Sequence, residues 1–461
     1  MRAHTPKRTR RAALAVACVT VACLLMLGDA ALGAPENPNV RHGQASFETQ
    51  GGATTITAGN NAVIDYTSFN IAAEESVRFI QPGQRARVLN RITNHQPTQI
   101  AGALTANGRV YLVNPAGVYF ANGAQIDVAG LYAAAGQMAV SDFVNGIDRF
   151  TDLEGTVANA GSIRAGDVAL MGRQVTNTGG IEAGNVLALV AGNEVYLTEH
   201  GGHLSVQVDG SNLGEASGSD AGENTDIGVD NSGTLRAGGQ ITLGAGDMYS
   251  LAIRNRGRIT AAGGEVRALA NDGNIALADG SSISAAGEGD ADGGEVLVNA
   301  PQGVTFFDAG STIDVSGGPD GGSGGFAEVS GELVDFRGTV LADGETPGTL
   351  LIDPWDLHIK APDDGYVGDG QVLFNEPDMV TDVNVSPAAL AALAGDILLQ
   401  ATNSLFVDEL VNLVNNNNVD LQALIGDVVF NAKFFGADDF TVSAGNQIIF
   451  DIPGLGLGTP G

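Results

Sequence analysis

The feature that most constrains this fold is a short phrase that returns along the chain about every 20 residues. Near the C-terminus, Ile397-Leu-Leu-Gln-Ala401, Val419-Asp-Leu-Gln-Ala423 and Phe440-Thr-Val-Ser-Ala444 align directly, with starts 22 and 21 residues apart. Each is followed by a second apolar segment ending in Asp or Asn: Leu405-Phe-Val-Asp408, Val428-Val-Phe-Asn431 and Ile448-Ile-Phe-Asp451. The middle of the chain repeats an apolar-x-Ala-small phrase at Ile163, Ile181, Leu235, Ile259 and Ile283. These are spaced by 18, 54, 24 and 24 residues, and the 54 leaves room for two or three turns plus an insertion. Gly-Gly-Glu-Val recurs at 263–266 and 293–296.

Within each unit the pattern is that of a strand. Val168, Leu170, Val186 and Leu189 lie in short apolar runs punctuated by Gly, Asn or Asp. Short strands without helical spacing, repeated at this period, predict an all-β parallel β-helix, each coil stacked on the next. Inward Val, Ile, Leu and Ala would form one narrow dry core, which suits an aromatic content of only 5%. A series of hairpin sandwiches or barrels does not explain a repeat of whole coils. Some 400 residues at about 20 per coil predict roughly 18–20 coils and about 90 Å of rod. The helix-like stretch Pro387-Ala-Ala-Leu-Ala-Ala-Leu-Ala394 is expected to be a cap or a lateral insertion.

Composition excludes other classes. Gly is 66 of 461 residues but shows no three-residue period, so the chain is not collagen-like. A hydrophobic content of 44% is too high for a disordered acidic tail. No apolar run after residue 34 is long enough to span a bilayer as a helix. Before it, Arg2, Lys7, Arg8, Arg10 and Arg11 precede an apolar run over residues 12–27 and then small residues, the order of a secretory signal peptide. Ala31-Leu32-Gly33 places cleavage between Gly33 and Ala34. The run is short for a membrane anchor, and Thr20 stands where a lipidation motif at Cys23 usually has Leu.

Both cysteines, Cys18 and Cys23, lie in that segment, so the mature chain carries no thiol and rests on packing and hydrogen bonds. Its charge becomes 17 bases minus 52 acids, or −35, which repels nucleic acid. The one dense basic cluster, Arg85, Arg87 and Arg91, falls on one face of a strand and reads as a solvated sheet face.

The organisation expected is a signal peptide over 1–33, a less repetitive N-terminal block over 34–140, Gly-rich coils over 141–345, a Pro- and Trp-containing boundary over 346–365, and further coils with a C-terminal linker over 366–461. Residues 212–226 and 319–325 read as flexible loops. The final Pro453 to Gly461 run has no polar closing unit, so the last coil is expected to be exposed.

The N-terminal block carries the densest motifs: Ile64-Asp-Tyr-Thr-Ser-Phe-Asn-Ile71, Val77-Arg-Phe79, Gln81-Pro82, Val88-Leu-Asn-Arg-Ile92, Ile100-Ala-Gly-Ala-Leu104, Asn107-Gly-Arg-Val-Tyr-Leu-Val-Asn-Pro-Ala-Gly-Val-Tyr-Phe120 and Gly123-Ala-Gln-Ile-Asp-Val-Ala-Gly-Leu131. In order and spacing this block resembles the secretion (haemagglutination activity) domain of the filamentous haemagglutinin family, the large exoproteins of two-partner secretion. Gly348-Thr-Leu-Leu-Ile-Asp-Pro354 is similar to a phrase of its longer members. The resemblance implies a right-handed β-helix exported unfolded from the periplasm to the medium or cell surface. It implies as partner an outer-membrane barrel transporter with periplasmic POTRA domains, and for the displayed coils an adhesive role toward a host or neighbouring-cell receptor. The secretion-motif residues it implies are Asn90, Arg91, Asn114, Pro115 and Gly117. The family's Asn-Pro-Asn-Gly turn maps onto Asn114-Pro115-Ala116-Gly117, with Ala116 in place of the second Asn. Those residues serve either to shape the coil or to meet the partner.

Catalytic motifs are not evident. His200-Gly-Gly-His203 with Glu199 beside it lacks a third spaced metal ligand. Asp290-Ala-Asp-Gly-Gly294 begins like a calcium loop but has Pro301 at position twelve. No phosphate loop appears. The reading is therefore a secreted exoprotein, not an enzyme, with no cofactor, no metal and no nucleic-acid partner. The alternatives are a β-helix carbohydrate-active enzyme and a purely structural envelope or matrix protein.

Overall fold

The computed structural model describes residues 34–200, 203–209, 211–212, 227–278, 280–361, 384–393, 395–413 and 417–452. The expected signal peptide, the loop beyond Asn212 and the terminal run after Ile452 lie outside these residues.

Alternation in the sequence becomes alternation in burial. In the strand Gln125–Ala134, Ile126 and Val128 are buried while Gln125 and Asp127 face solvent. The repeated phrase is the stacking unit. Ile126, Ile163, Ile181, Leu235, Ile259, Ile283, Ile313 and Val340 lie one above another in parallel register. Leu350, Ile397, Val419 and Phe440 form a column of the second face near the C-terminus. Apart from the exposed Phe440, their side chains join one continuous core. The chain is a parallel β-helix of three faces, in which each coil's backbone groups bond to the coils before and after it.

Thirteen successive parallel pairings on the second face run from Ala62–Tyr66 to Phe440–Ala444. At ~4.8 Å per step this is about 60 Å of rod, shorter than the sequence estimate. The coils are longer than 20 residues in places, with 30 between Ile283 and Ile313. The 54-residue interval holds no extra coil, because Ile181 and Leu235 are direct neighbours. The ladder also passes through 346–365, where Thr349–Asp353 pairs with Phe326–Phe336 on one side and Asp396–Ala401 on the other. The glycine-rich stretch 319–325 stacks on the loop below it: the Asp320 N–H donates to the Gly289 carbonyl at 2.8 Å.

The leading end is closed. Asn39–His42 pairs antiparallel with Ala62–Tyr66, and Ala45–Gln50 pairs antiparallel with Ala53–Ala58, so the first coil does not present a bare edge. At the other end, Phe440, Ile448 and Phe450 of the last described coil are exposed.

Two departures from the strand pattern follow local chemistry. Ser386 accepts from the Ala389 N–H and Pro387 takes the first turn, which starts the helix Pro387–Ala392. That helix is neither an end cap nor a lateral insertion. It packs between Thr339–Leu341 and Val411–Asn412 with Leu390 fully buried in the main core, so it takes a strand's place in a coil. At one corner a buried ladder of asparagines replaces apolar packing: Asn159 Nδ2 donates to Asn177 Oδ1 at 2.8 Å, Asn177 to Asn231 at 2.8 Å and Asn231 to Asn255 at 2.7 Å.

A second layer lies outside the coils. The helix Val140–Val144 and the antiparallel strands Asp148–Phe150, Val195–His200, His203–Val208 and Ser211–Asn212 cover part of the second face. Phe143, Phe150, Val195 and Val206 pack there on outward residues such as Leu89, Tyr111 and Tyr132, making a second core.

Candidate secretion-signal site

The turn after the strand Ala103–Val113 is built by Asn114. Its Oδ1 accepts from the Ala116 N–H at 3.0 Å, and its carbonyl accepts from the Gly117 N–H at 3.0 Å. Its Nδ2 donates to the Gln96 carbonyl at 2.9 Å and to Thr98 Oγ1 at 3.0 Å on the preceding coil. Asn114 is fully buried, and both ends of its amide are engaged. Pro115 is exposed at the tip, where its fixed φ suits the turn. Gly117 has φ +119°, and a Cβ there would lie 3.0 Å from the Thr156 carbonyl, so only glycine fits. Ala116, in place of the second Asn, gives the turn its backbone N–H, which Asn114 Oδ1 accepts.

Asn90 points into the main core from the strand Arg87–Ile92 and is fully buried. Its Nδ2 donates to the Tyr111 carbonyl at 3.0 Å, while its Oδ1 has no hydrogen-bond partner. An unmet buried acceptor destabilises by about 1–3 kcal/mol. Arg91, on the opposite side of the same strand, holds Asp65 by two bonds, Nε to Oδ1 at 2.8 Å and Nη2 to Oδ2 at 3.1 Å. Arg41 of the N-terminal cap reaches the same carboxylate at 3.4 Å. Thus Asn90 and Arg91 bind the first coils together from inside and outside, and the Asn114 turn lies on a different corner.

Arg87 departs from the solvated face expected of it. Its guanidinium lies 4.6 Å from the Phe143 ring centroid and 5.8 Å from that of Tyr111. It donates to the Phe143 carbonyl and reaches Asp148 at 3.5 Å. Tyr111 stacks on Tyr132 with centroids 4.4 Å apart, and its hydroxyl donates to Asp148 at 3.2 Å. Burial pushes the Tyr111 phenol well above its ordinary pKa, so it stays protonated and can donate. This cluster joins the outer layer to the coils. Sequence reasoning missed it, because the partners of Arg87 come from a segment that runs antiparallel outside the repeat. Arg85 precedes the strand and is exposed.

Gly33 lies outside the described residues and Ala34 is the first of them. His200 and His203 are partners in backbone register across a hairpin. Among the described residues no group of three or more His, Cys, Asp or Glu is arranged to hold a metal ion.

A family model described as the TPS secretion domain matches residues 29–287. Among curated proteins, a heme/hemopexin-binding protein of Haemophilus influenzae (strain ATCC 51907 / DSM 11121 / KW20 / Rd) is 36% identical over 223 residues, covering 46% of this chain and 23% of that protein. A second heme/hemopexin-binding protein of Haemophilus influenzae is 43% identical over 101 residues, covering 22% of this chain and 11% of that one. The chain thus spans less than a quarter of the length of either relative. Among solved structures, the HMW1 secretion domain from Haemophilus influenzae aligns with a TM-score of 0.52 at 20% identity, covering 90% of this chain and all of that one. At that identity the likeness is one of fold.

Proposed function

The chain belongs to the TPS secretion domain family and is a two-partner secretion exoprotein, and from that premise we propose that its first coils, residues 34–140, are the segment an outer-membrane transporter recognises. The partner is a barrel with periplasmic POTRA domains, and the signal peptide over 1–33 delivers the chain to it. The coils beyond residue 287, where the family match ends, are the passenger, displayed outside the cell or released, with an adhesive role toward a cell-surface receptor.

Physical features support this order of events. The mature chain has no cysteine to cross-link it before passage. A parallel β-helix adds one coil at a time, so folding outside can follow emergence. The antiparallel cap closes the leading end, leaving growth to proceed in one direction. Heme or hemopexin binding is a property of the two curated relatives. The region shared with them includes less than a quarter of either, so export rather than their ligand is what we carry over.

The observation that carries the reading is the family match over the coils that hold Asn90, Arg91 and the Asn114 turn. In the folded protein Asn114 is wholly engaged by its own turn and the preceding coil, so a transporter would meet its side chain only before folding. The test is release into the medium from cells that also make the transporter. Asn114→Ala combined with Pro115→Ala should leave the chain in the periplasm. Undiminished release of that double variant would overturn the recognition role of the turn.

A further inference from the structure

We propose that a polar groove along one corner of the middle coils binds an anionic polysaccharide, with Arg258 as its anchoring cation. The groove, of about 550 Å³, crosses four successive coils. Thr178, Ser232, Thr234, Ser282, Arg256 and Arg258 line it together with corner glycines. Thr234, Arg258 and Ser282 are direct neighbours in the parallel register, so two hydroxyls flank one guanidinium. At ~4.8 Å per coil the lining spans about 14 Å, the reach of a short stretch of polymer rather than of a single ion.

The chemistry of the lining is unspent. The hydroxyls of Ser232, Thr234 and Ser282 make no hydrogen bond with another described residue, and the exposed Arg258 makes no ion pair with one. Arg236, also exposed, is likewise without an ion pair among the described residues. Arg256 bonds Asp230 through Nη2 at 3.1 Å, yet its buried Nε has no partner. Among the described residues, the carboxylates in register with Arg236 and Arg254 are already engaged: Glu182 by Arg164 at 3.2 Å, and Asp230 by Arg254 at 2.7 Å together with Arg256. In a chain of net charge −31, Arg236, Arg254, Arg256 and Arg258 gather on two successive coils here. Guanidinium groups match the planar or tetrahedral oxygens of carboxylates and sulfate esters. Free hydroxyls on either side match the hydroxyls of sugar rings.

The groove lies within the matched segment, and the proposal rests on the reading above only for its extracellular setting. Binding is read on purified protein and export by release, so the two fail separately. Titration calorimetry of the purified chain against dextran sulfate, polygalacturonate, unsubstituted dextran and phosphatidylserine vesicles tests it. At least one charged polysaccharide should bind, with an affinity that falls as salt rises, and unsubstituted dextran should not. Arg258→Glu should weaken that binding by about tenfold or more, and Thr234→Glu should weaken it as well. Both sites are exposed, so both variants keep the fold. No binding of either charged polysaccharide overturns the proposal, as does an affinity that neither variant changes. Tighter binding to the vesicles than to either polymer overturns the choice of a polysaccharide in favour of a membrane surface.

Discussion

Asn177 Nδ2 donates to Asn231 Oδ1 at 2.8 Å although 54 residues of chain separate them. Both are fully buried, and the same bond joins Asn159 to Asn177 across 18 residues. The corner therefore ignores how much chain lies between coils and answers only to which residue stands in the next one. Replacing Asn177 by Ala should leave the Asn159 donor and the Asn231 acceptor without their partner at once. Urea unfolding should show a loss of about 2–4 kcal/mol. A loss below about 0.5 kcal/mol would mean that water replaces the ladder.

Asn90 should behave in the opposite sense. Its Oδ1 is buried without a partner, so Asn90→Leu removes an unmet acceptor from an apolar surround. Stability should rise by about 1 kcal/mol. If Asn90 also serves the transporter, release of the same variant should fall, and a gain of stability with a loss of release separates recognition from folding.

Arg87 clamps the outer layer. Its replacement by Ala removes the contacts to Phe143 and Tyr111 and leaves Asp148 without that guanidinium. The cost should be about 2–4 kcal/mol. Hydrogen exchange should rise first in Val140–Val144 and Asp148–Phe150, while the coil strands beneath stay protected.

Asp353 makes stability depend on pH. Burial first, and then the Glu328 carboxylate, raise its pKa from 3.8 to about 6. A carboxyl whose pKa is higher folded than unfolded contributes stability that is complete below the unfolded value, and it loses that contribution as pH rises through the folded one. Stability should therefore decline between about pH 4 and pH 6. Glu295 and Asp335 are raised as well, chiefly by burial, and act in the same direction. Asp353→Asn should flatten part of this decline in thermal melts taken across that range.

Leu390 tests whether the helix Pro387–Ala392 belongs to the core. Leu390→Ala should cost about 2–5 kcal/mol, as for any fully buried leucine. A surface appendage would lose almost nothing.

The stacking was legible in the sequence because one column obeys one rule. Ile163, Ile181, Leu235, Ile259 and Ile283 had to recur if each covers the next, and they do stack. The asparagine ladder was legible too but passed unread. Asn159, Asn177, Asn231 and Asn255 each precede a glycine by two residues, at the same spacings of 18, 54 and 24. The number of coils was not legible, since a spacing of 54 reads equally as more coils or as one excursion. The outer layer was hidden for a related reason. Val195, Leu197, Leu204 and Val206 alternate just as coil strands do, and nothing local says that they pair antiparallel and face inward from outside. Of the candidate site, the turn geometry of Asn114, Pro115 and Gly117 followed from residue type. The burial of Arg87 did not, because it depends on a layer that local pattern does not announce.

The corner that carries the long excursion has a practical meaning. Gly192 still bonds back to Gly172, and Ile227 still pairs forward with Leu251, as if nothing lay between them. The rod is blind to the length of chain leaving and returning there, so the junction is a ready splice point. A foreign peptide or small module grafted at it would ride on the outside as cargo, with the coil register on either side untouched.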